Sequence, residues 1–98
     1  MSRGTEQELE LVRTIGDYQR AKLAEERAKS GWRHCDMSWL IRRLREEVSE
    51  LCAVTLRWEA DPEAVWREAG DVANVAAMIA DVYEARWDAE ERECEDER

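Results

Sequence analysis

The chain has 98 residues, and its 24 acidic residues outnumber its 15 basic ones, giving a net charge of −9. This charge disfavours a polynucleotide or an anionic membrane surface as a partner, because both repel an acidic protein. The length suits one small domain with a marginal core of its own, so we expect an oligomer.

Cellular location is predicted from what the sequence lacks. No stretch approaches the roughly twenty apolar residues of a membrane span, and the N-terminal segment has no apolar signal core. Three widely spaced cysteines form no CxxC pair, which argues against a disulfide framework or a zinc site. We therefore expect a cytoplasmic protein without membrane contact.

The first predicted element is a helix over about residues 6–29. Abundant Ala, Glu, Arg and Leu with a single proline indicate an all-α fold, and apolar residues recur at helical spacing through this segment. Gly31 is the predicted stop, and segment 30–36 mixes helix breakers with polar and aromatic residues, which predicts an ordered loop.

A second helix is predicted to start at Asp36 or Ser38 and to run to about Trp58 or Glu59, along a heptad-like apolar stripe. A third helix follows, with Asp61 as the N-cap and a proline at the first helical position. Its apolar pattern fades after Trp87.

The predicted domain organisation is one helical domain over residues 1–87, followed by an acidic tail over residues 88–98. The tail is predicted to be a solvated helix end that frays or is disordered, because it carries a run of charges without an apolar stripe. We assign the tail no chemistry.

The second helix carries the acidic motif EEVSE at residues 46–50. At about 100° per residue, Glu47 lies on the shoulder of the apolar stripe and Glu50 borders it, whereas Glu46 faces away. Two carboxylates three residues apart share one helical face, which is an arrangement that can bind a divalent cation.

The third helix carries a second acidic motif, EAGD at residues 68–71. Glu68 falls inside the apolar arc and Asp71 at its edge, and a glutamate in an apolar arc needs a partner or a metal. If the two helices pack antiparallel, four carboxylates converge, and oxygen-only ligands favour Mg²⁺, with Mn²⁺ as a substitute. The alternative is that nearby arginines pair with these acids as surface salt bridges.

The ordered pair of motifs resembles the EExxE…ExxD signature of the MazG-like all-α nucleoside triphosphate pyrophosphohydrolases, over roughly residues 28–83. The resemblance implies that Mg²⁺ is held by Glu47, Glu50, Glu68 and Asp71. It further implies that a nucleoside triphosphate is hydrolysed to a monophosphate and pyrophosphate, by a homodimer or homotetramer.

The remaining site predictions concern the general base and the nucleotide. Glu47 or Glu50 is the predicted base, and the sequence does not choose between them. Aromatic faces commonly bind nucleobases, and polar groups bind the sugar or base. The predicted substrate-binding residues are Trp32, Trp58, Asn74 and His34, and the predicted subunit-interface residues are Trp39, Trp66, Met78 and Tyr83.

The sequence also allows two alternative functions. Phosphoribosyl-ATP pyrophosphohydrolase has a related acidic arrangement, although that family tends to follow the aspartate with a Tyr-His pair, where this chain has Val72-Ala73. A non-enzymatic oligomerisation or adaptor module would use its acids only for solubility. Glu68 separates the enzyme class from the adaptor class, since an adaptor leaves it in solvent or neutralised by an arginine such as Arg43 or Arg67.

Overall fold

The computed structural model describes residues 3–29 and 31–96, and they form three helices and no strand. The helices are α1 (Arg3–Lys29), α2 (Met37–Thr55) and α3 (Pro62–Asp96), and α3 packs against both of the others. The predicted all-α fold is confirmed. Within these residues, no helix combines the length and apolar character needed to cross a bilayer.

The α1 helix ends at Lys29, shortly before the predicted stop at Gly31, and residue 30 of the predicted loop lies outside the described residues. Gly31 has a φ of +77°, a conformation that favours glycine, and its N–H donates to the Glu26 carbonyl at 2.9 Å. The Trp32 indole N–H donates to the Asp81 carboxylate at 2.9 Å, and Arg33 donates to the same carboxylate. The loop is therefore fastened to α3.

The second helix ends at Thr55, a few residues before the predicted end at about Trp58 or Glu59. The Thr55 hydroxyl donates to the carbonyls of Leu51 and Cys52, both at 2.9 Å, and such bonds compete with continued helical structure. Leu56 follows with 85% of its surface exposed, so continuing the helix would bury no apolar area there.

The third helix starts as predicted, because the Asp61 carboxylate accepts the Ala64 N–H at 2.8 Å and caps it. The helix continues to Asp96, so the predicted acidic tail is helical as far as that residue, and residues 97–98 lie outside the described part. Side chains from 83 to 92 are exposed.

The core is formed mainly by α2 and α3. Leu40 is fully buried against Met78 and Val82, and α1 adds the partly buried Leu23. Met78, predicted as an interface residue, is therefore packed inside its own chain at 6% exposure. That prediction was wrong, because the residue faces Leu40 rather than a free surface.

Close contact between α1 and α3 occurs at Gly70. A Cβ atom at this position would lie 3.0 Å from the Tyr18 Cβ, so the missing side chain lets the two helices approach. The Tyr18 ring stacks on Trp66, with ring centroids 6.2 Å apart and planes 4° apart. This contact places the next turns of α1, at Lys22 and Glu26, beside the acidic residues of α3.

Candidate functional site

Three of the four predicted metal ligands meet where α2 packs on α3. Glu47, Glu50 and Glu68 each offer a carboxylate oxygen, and these oxygens all lie within 4.8 Å of one another. We refer to these three residues as the acidic cluster. Glu47 is 8% exposed, Glu68 is partly buried and Glu50 is exposed, so the cluster opens to solvent on the Glu50 side.

Two oxygens of the acidic cluster are buried without a hydrogen-bond partner in the described part of the chain: Oε2 of Glu47 and Oε2 of Glu68. A buried polar atom without a partner costs about 1–3 kcal/mol, and more when it carries charge. Most such atoms in native proteins have a partner in the protein, in ordered water or in a bound ion. The cluster therefore has unused capacity for a ligand.

Burial, together with repulsion between like charges, raises the pKa values of two members of the cluster, Glu47 and Glu68. Burial raises the pKa of Glu47 from 4.5 to about 7, with repulsion from Glu50 and Asp71 adding to the effect. Burial is also the largest cause of the raised pKa of Glu68, again with repulsion from Asp71 and Glu50. A nearby cation would reverse these shifts by favouring the ionised carboxylates.

Asp71, the fourth predicted ligand, lies beside the acidic cluster. Burial raises its pKa, while the ammonium group of Lys22 opposes that rise. Lys22 Nζ lies 3.8 Å from Asp71 Oδ1, too far for a direct hydrogen bond, since charge-assisted N–H···O bonds measure about 2.7–2.9 Å. The ammonium group of Lys22 thus offsets the charge of Asp71 without a direct hydrogen bond to its oxygen.

A second cation, Arg43, approaches the cluster from α2. Its Nη2 atom lies 3.5 Å from a Glu26 oxygen and 3.9 Å from a Glu47 oxygen, and its guanidinium lies 5.6 Å from the centre of the Trp39 ring. Arg43 therefore offsets part of the charge of Glu47 but leaves Glu47 Oε2 unpaired.

A narrow cavity of about 10 Å³, enough for roughly one water molecule, adjoins the cluster. It is lined by side chains of all three helices, among them Lys22, Glu26, Arg43, Glu47, Asp71 and Asn74. The α1 residues of this lining are not among the predicted site residues. Their signal was available, because steps of four residues from Tyr18 lead to Lys22 and then to Glu26.

Asn74, a predicted substrate contact, is 1% exposed between α1 and α3. Its Nδ2 donates to the Gln19 carbonyl at 3.2 Å, which ties the two helices together, and its Oδ1 has no hydrogen-bond partner in the described residues. The Nδ2 atom of Asn74 thus has a structural role, and its Oδ1 atom remains available to accept a hydrogen bond from a group in the cavity.

The other predicted substrate contacts lie outside the cavity lining. Trp32 packs against the core with its indole N–H bonded to Asp81, and His34 is exposed in the same loop, with Nε2 3.9 Å from Cys35 Sγ. Trp58 is 93% exposed in the turn after α2. None of the three reaches the acidic cluster through a contact of the described residues.

The charged residues next to the cluster pair with acids other than Glu68 or face solvent. Glu46 is exposed, as its helical angle predicted. Arg67, a suggested neutraliser of Glu68, instead donates to Glu63 at 2.8 Å, and Arg43 contacts Glu26 and Glu47. Glu68 therefore has no arginine in ion-pair contact among the described residues.

Comparison of the chain with models of known protein families, with curated proteins and with solved structures finds no match. The resemblance to the MazG-like group therefore stays a prediction that depends on the two acidic motifs. Any functional conclusion must be drawn from the acidic cluster and its surroundings.

Proposed function

We propose that the protein is a Mg²⁺-dependent nucleoside triphosphate pyrophosphohydrolase that converts a nucleoside or deoxynucleoside triphosphate and water to the monophosphate and pyrophosphate. The supporting observation is the acidic cluster itself, with buried unpaired oxygens on Glu47 and Glu68. Acids that served only for solubility would lie in solvent, where their hydrogen bonds are made by water.

The residues present fit a hard divalent cation. The donor set is oxygen only, comes from both α2 and α3, and carries more negative charge than Arg43 and Lys22 offset. Glu47, Glu50 and Glu68 would hold the ion, with Asp71 next to them. When bound, Mg²⁺ supplies charge neutralisation for the triphosphate and makes water a better nucleophile.

The protein itself would supply the proton acceptor and the alignment of the attacking water. Glu47 or Glu50 would accept the proton, since both lie in the cluster. The pKa of Glu47, raised to about 7, suits this role, because a base is most effective when its pKa lies near the working pH. The Glu47 side chain is buried, so its position is fixed. The Glu50 side chain lies at the open side of the cluster, so it is accessible to substrate.

The nucleoside would be held by residues outside the acidic cluster. Trp58 has a free aromatic face and Asn74 a free acceptor, whereas the indole N–H of Trp32 is already bonded to Asp81. His34, in the same loop as Trp32, completes the proposed set of substrate contacts. Phosphoribosyl-ATP uses the same phosphate chemistry and belongs in the substrate panel.

The proposed assembly is a homodimer or homotetramer formed through helix faces, with α2 and α3 antiparallel within each chain. Leu40 near the start of α2 packs on Val82, while Glu47 and Glu50 further along α2 lie by Glu68, which supports that direction. The radius of gyration is 17.1 Å, against about 13 Å for a compact chain of this length. Exposed apolar side chains that a second copy would cover include Leu9, Leu11, Val12, Trp39 and Tyr83.

The test is pyrophosphate release from a panel of ribonucleotides, deoxyribonucleotides and phosphoribosyl-ATP, with and without Mg²⁺. Glu68→Gln keeps the side-chain shape but replaces a charged carboxylate ligand with a neutral amide oxygen, so release should fall at least about a hundredfold. The matched control is Glu46→Gln, which removes an exposed charge from the same motif and should leave the rate within about twofold.

Two results would contradict the proposal. One is an absence of Mg²⁺-dependent release from every nucleotide by the wild-type protein, which would favour the adaptor class. The other is an equal effect of Glu68→Gln and Glu46→Gln, because the acidic cluster would then have no special part in the reaction.

A further inference from the structure

The Lys22 and Asp71 side chains stand between two cavities. Both residues line the narrow inner cavity that contains Glu47 and Asn74. Both also line an open groove of about 340 Å³ between α1 and α3, together with Tyr18, Ala21, Glu25, Glu63 and Arg67. The Lys22 ammonium group is therefore within reach of the acids on one side and of the groove on the other.

Lys22 is held only loosely where it stands. Its Nζ atom lies 3.8 Å from Asp71 and 3.7 Å from Glu25, and its side chain is 32% exposed. Neither distance is that of a direct hydrogen bond, so the ammonium group keeps its donors for another acceptor.

The other basic side chains at these cavities are less available to an anion in the groove. Arg67, which lines the groove, donates to Glu63 at 2.8 Å. Arg43 lines the inner cavity but not the groove. It contacts Glu26 and Glu47 and lies over the Trp39 ring. Lys22 is thus the cation best placed to meet an anion that enters the groove.

We infer that Lys22 is an anion-binding residue whose ammonium group contacts a phosphate oxygen of a ligand lying in the groove between α1 and α3. This inference rests on the proposed function and extends its site to α1. Once a divalent cation neutralises Asp71, one of the two carboxylates beside the Lys22 ammonium group no longer attracts it, while the side chain still lines the groove. A phosphate chain suits this position, because it offers oxygens both to the cation and to the ammonium group.

The experiment uses two probes and three variants of the full chain. Binding of Mn²⁺ alone is followed by the electron paramagnetic resonance signal of the free ion, and binding of inorganic tripolyphosphate at saturating Mg²⁺ by calorimetry. Lys22→Gln removes the charge, and Lys22→Arg keeps it. Arg20→Gln is the matched control, because Arg20 is an exposed α1 cation 3.8 Å from Asp17.

Lys22→Gln should bind tripolyphosphate at least about tenfold more weakly, as expected for loss of a charged hydrogen bond. The same variant should bind Mn²⁺ about fivefold more tightly, because a unit positive charge about 4 Å from a ligand is removed. Lys22→Arg should restore tripolyphosphate binding to within about threefold of wild type. Arg20→Gln should change neither affinity by more than about twofold.

Unchanged tripolyphosphate binding by Lys22→Gln, with Mn²⁺ still bound, would overturn the inference and leave the proposed function standing. Equal weakening by Arg20→Gln would also overturn it, because the effect would then be one of net charge. Failure of the wild-type protein to bind Mn²⁺ would remove the proposed function itself, and the inference with it.

Discussion

Replacing Glu47 with glutamine should make the stability of the metal-free protein less dependent on pH. The pKa of Glu47 rises from 4.5 to about 7 in the folded chain, so the folded state holds this proton more tightly than the unfolded state. Its contribution to stability is therefore fully present below about pH 4.5 and is lost as the pH rises through 7.

The size of this effect follows from the shift in pKa. A rise from 4.5 to about 7 corresponds to about 3 kcal/mol, and Glu47 is only 8% exposed, so solvent screens it little. For a chain of this length, about 3 kcal/mol corresponds to a change in Tm of roughly 15 °C.

The assay is urea unfolding followed by far-ultraviolet circular dichroism at pH 5 and pH 8 in the presence of a chelator. The quantity of interest is the difference between wild type and Glu47→Gln, because the other titrating groups are common to both proteins. Wild type should lose about 2.5 kcal/mol more than the variant between the two pH values, because a part of the full effect is already lost at pH 5. Glu46→Gln should follow wild type, and parallel pH profiles for wild type and Glu47→Gln would refute the reasoning.

Further predictions concern packing, capping and metal binding, all measured by urea unfolding. Gly16→Ala should stabilise by up to about 1 kcal/mol, because its Cβ meets nothing within 4 Å, whereas Gly70→Ala crowds α1 and should destabilise by about 1 kcal/mol. Leu40→Ala should destabilise by about 2–5 kcal/mol, since Leu40 is fully buried. Asp61→Ala should destabilise by about 1 kcal/mol through loss of the α3 cap. At pH 8, Mg²⁺ at a hundred times its Kd should stabilise wild type by about 2.7 kcal/mol and Glu68→Gln far less.

The predictable features of the site were those that a single helix determines. The position of Glu68 in an apolar arc, and the outward position of Glu46, both follow from about 100° of rotation per residue, which is a local property. The structure agrees with both, since Glu68 is partly buried and Glu46 is exposed.

The features that escaped prediction depend on how the helices pack. The hydrogen bond from Trp32 to Asp81 joins residues 49 positions apart, so no local sequence pattern predicts it. Likewise, Lys22 reaches Asp71 only because α1 approaches α3 at Gly70. The early end of α2 depends on the hydroxyl bonds of Thr55 and on the lack of a surface for Leu56 to pack against.

The length of α3 has a consequence for local stability. The helix has 35 residues and its side chains from 83 to 92 are exposed, so this half owes its helical structure to intrinsic propensity and to local contacts such as the Trp87 indole bond to Glu91. Amide hydrogens there should exchange with solvent long before those around Val75 and Met78. If amide hydrogen exchange in this part of α3 becomes slower at higher protein concentration, the protected residues are those that a second copy covers. This measurement requires no knowledge of the ligand.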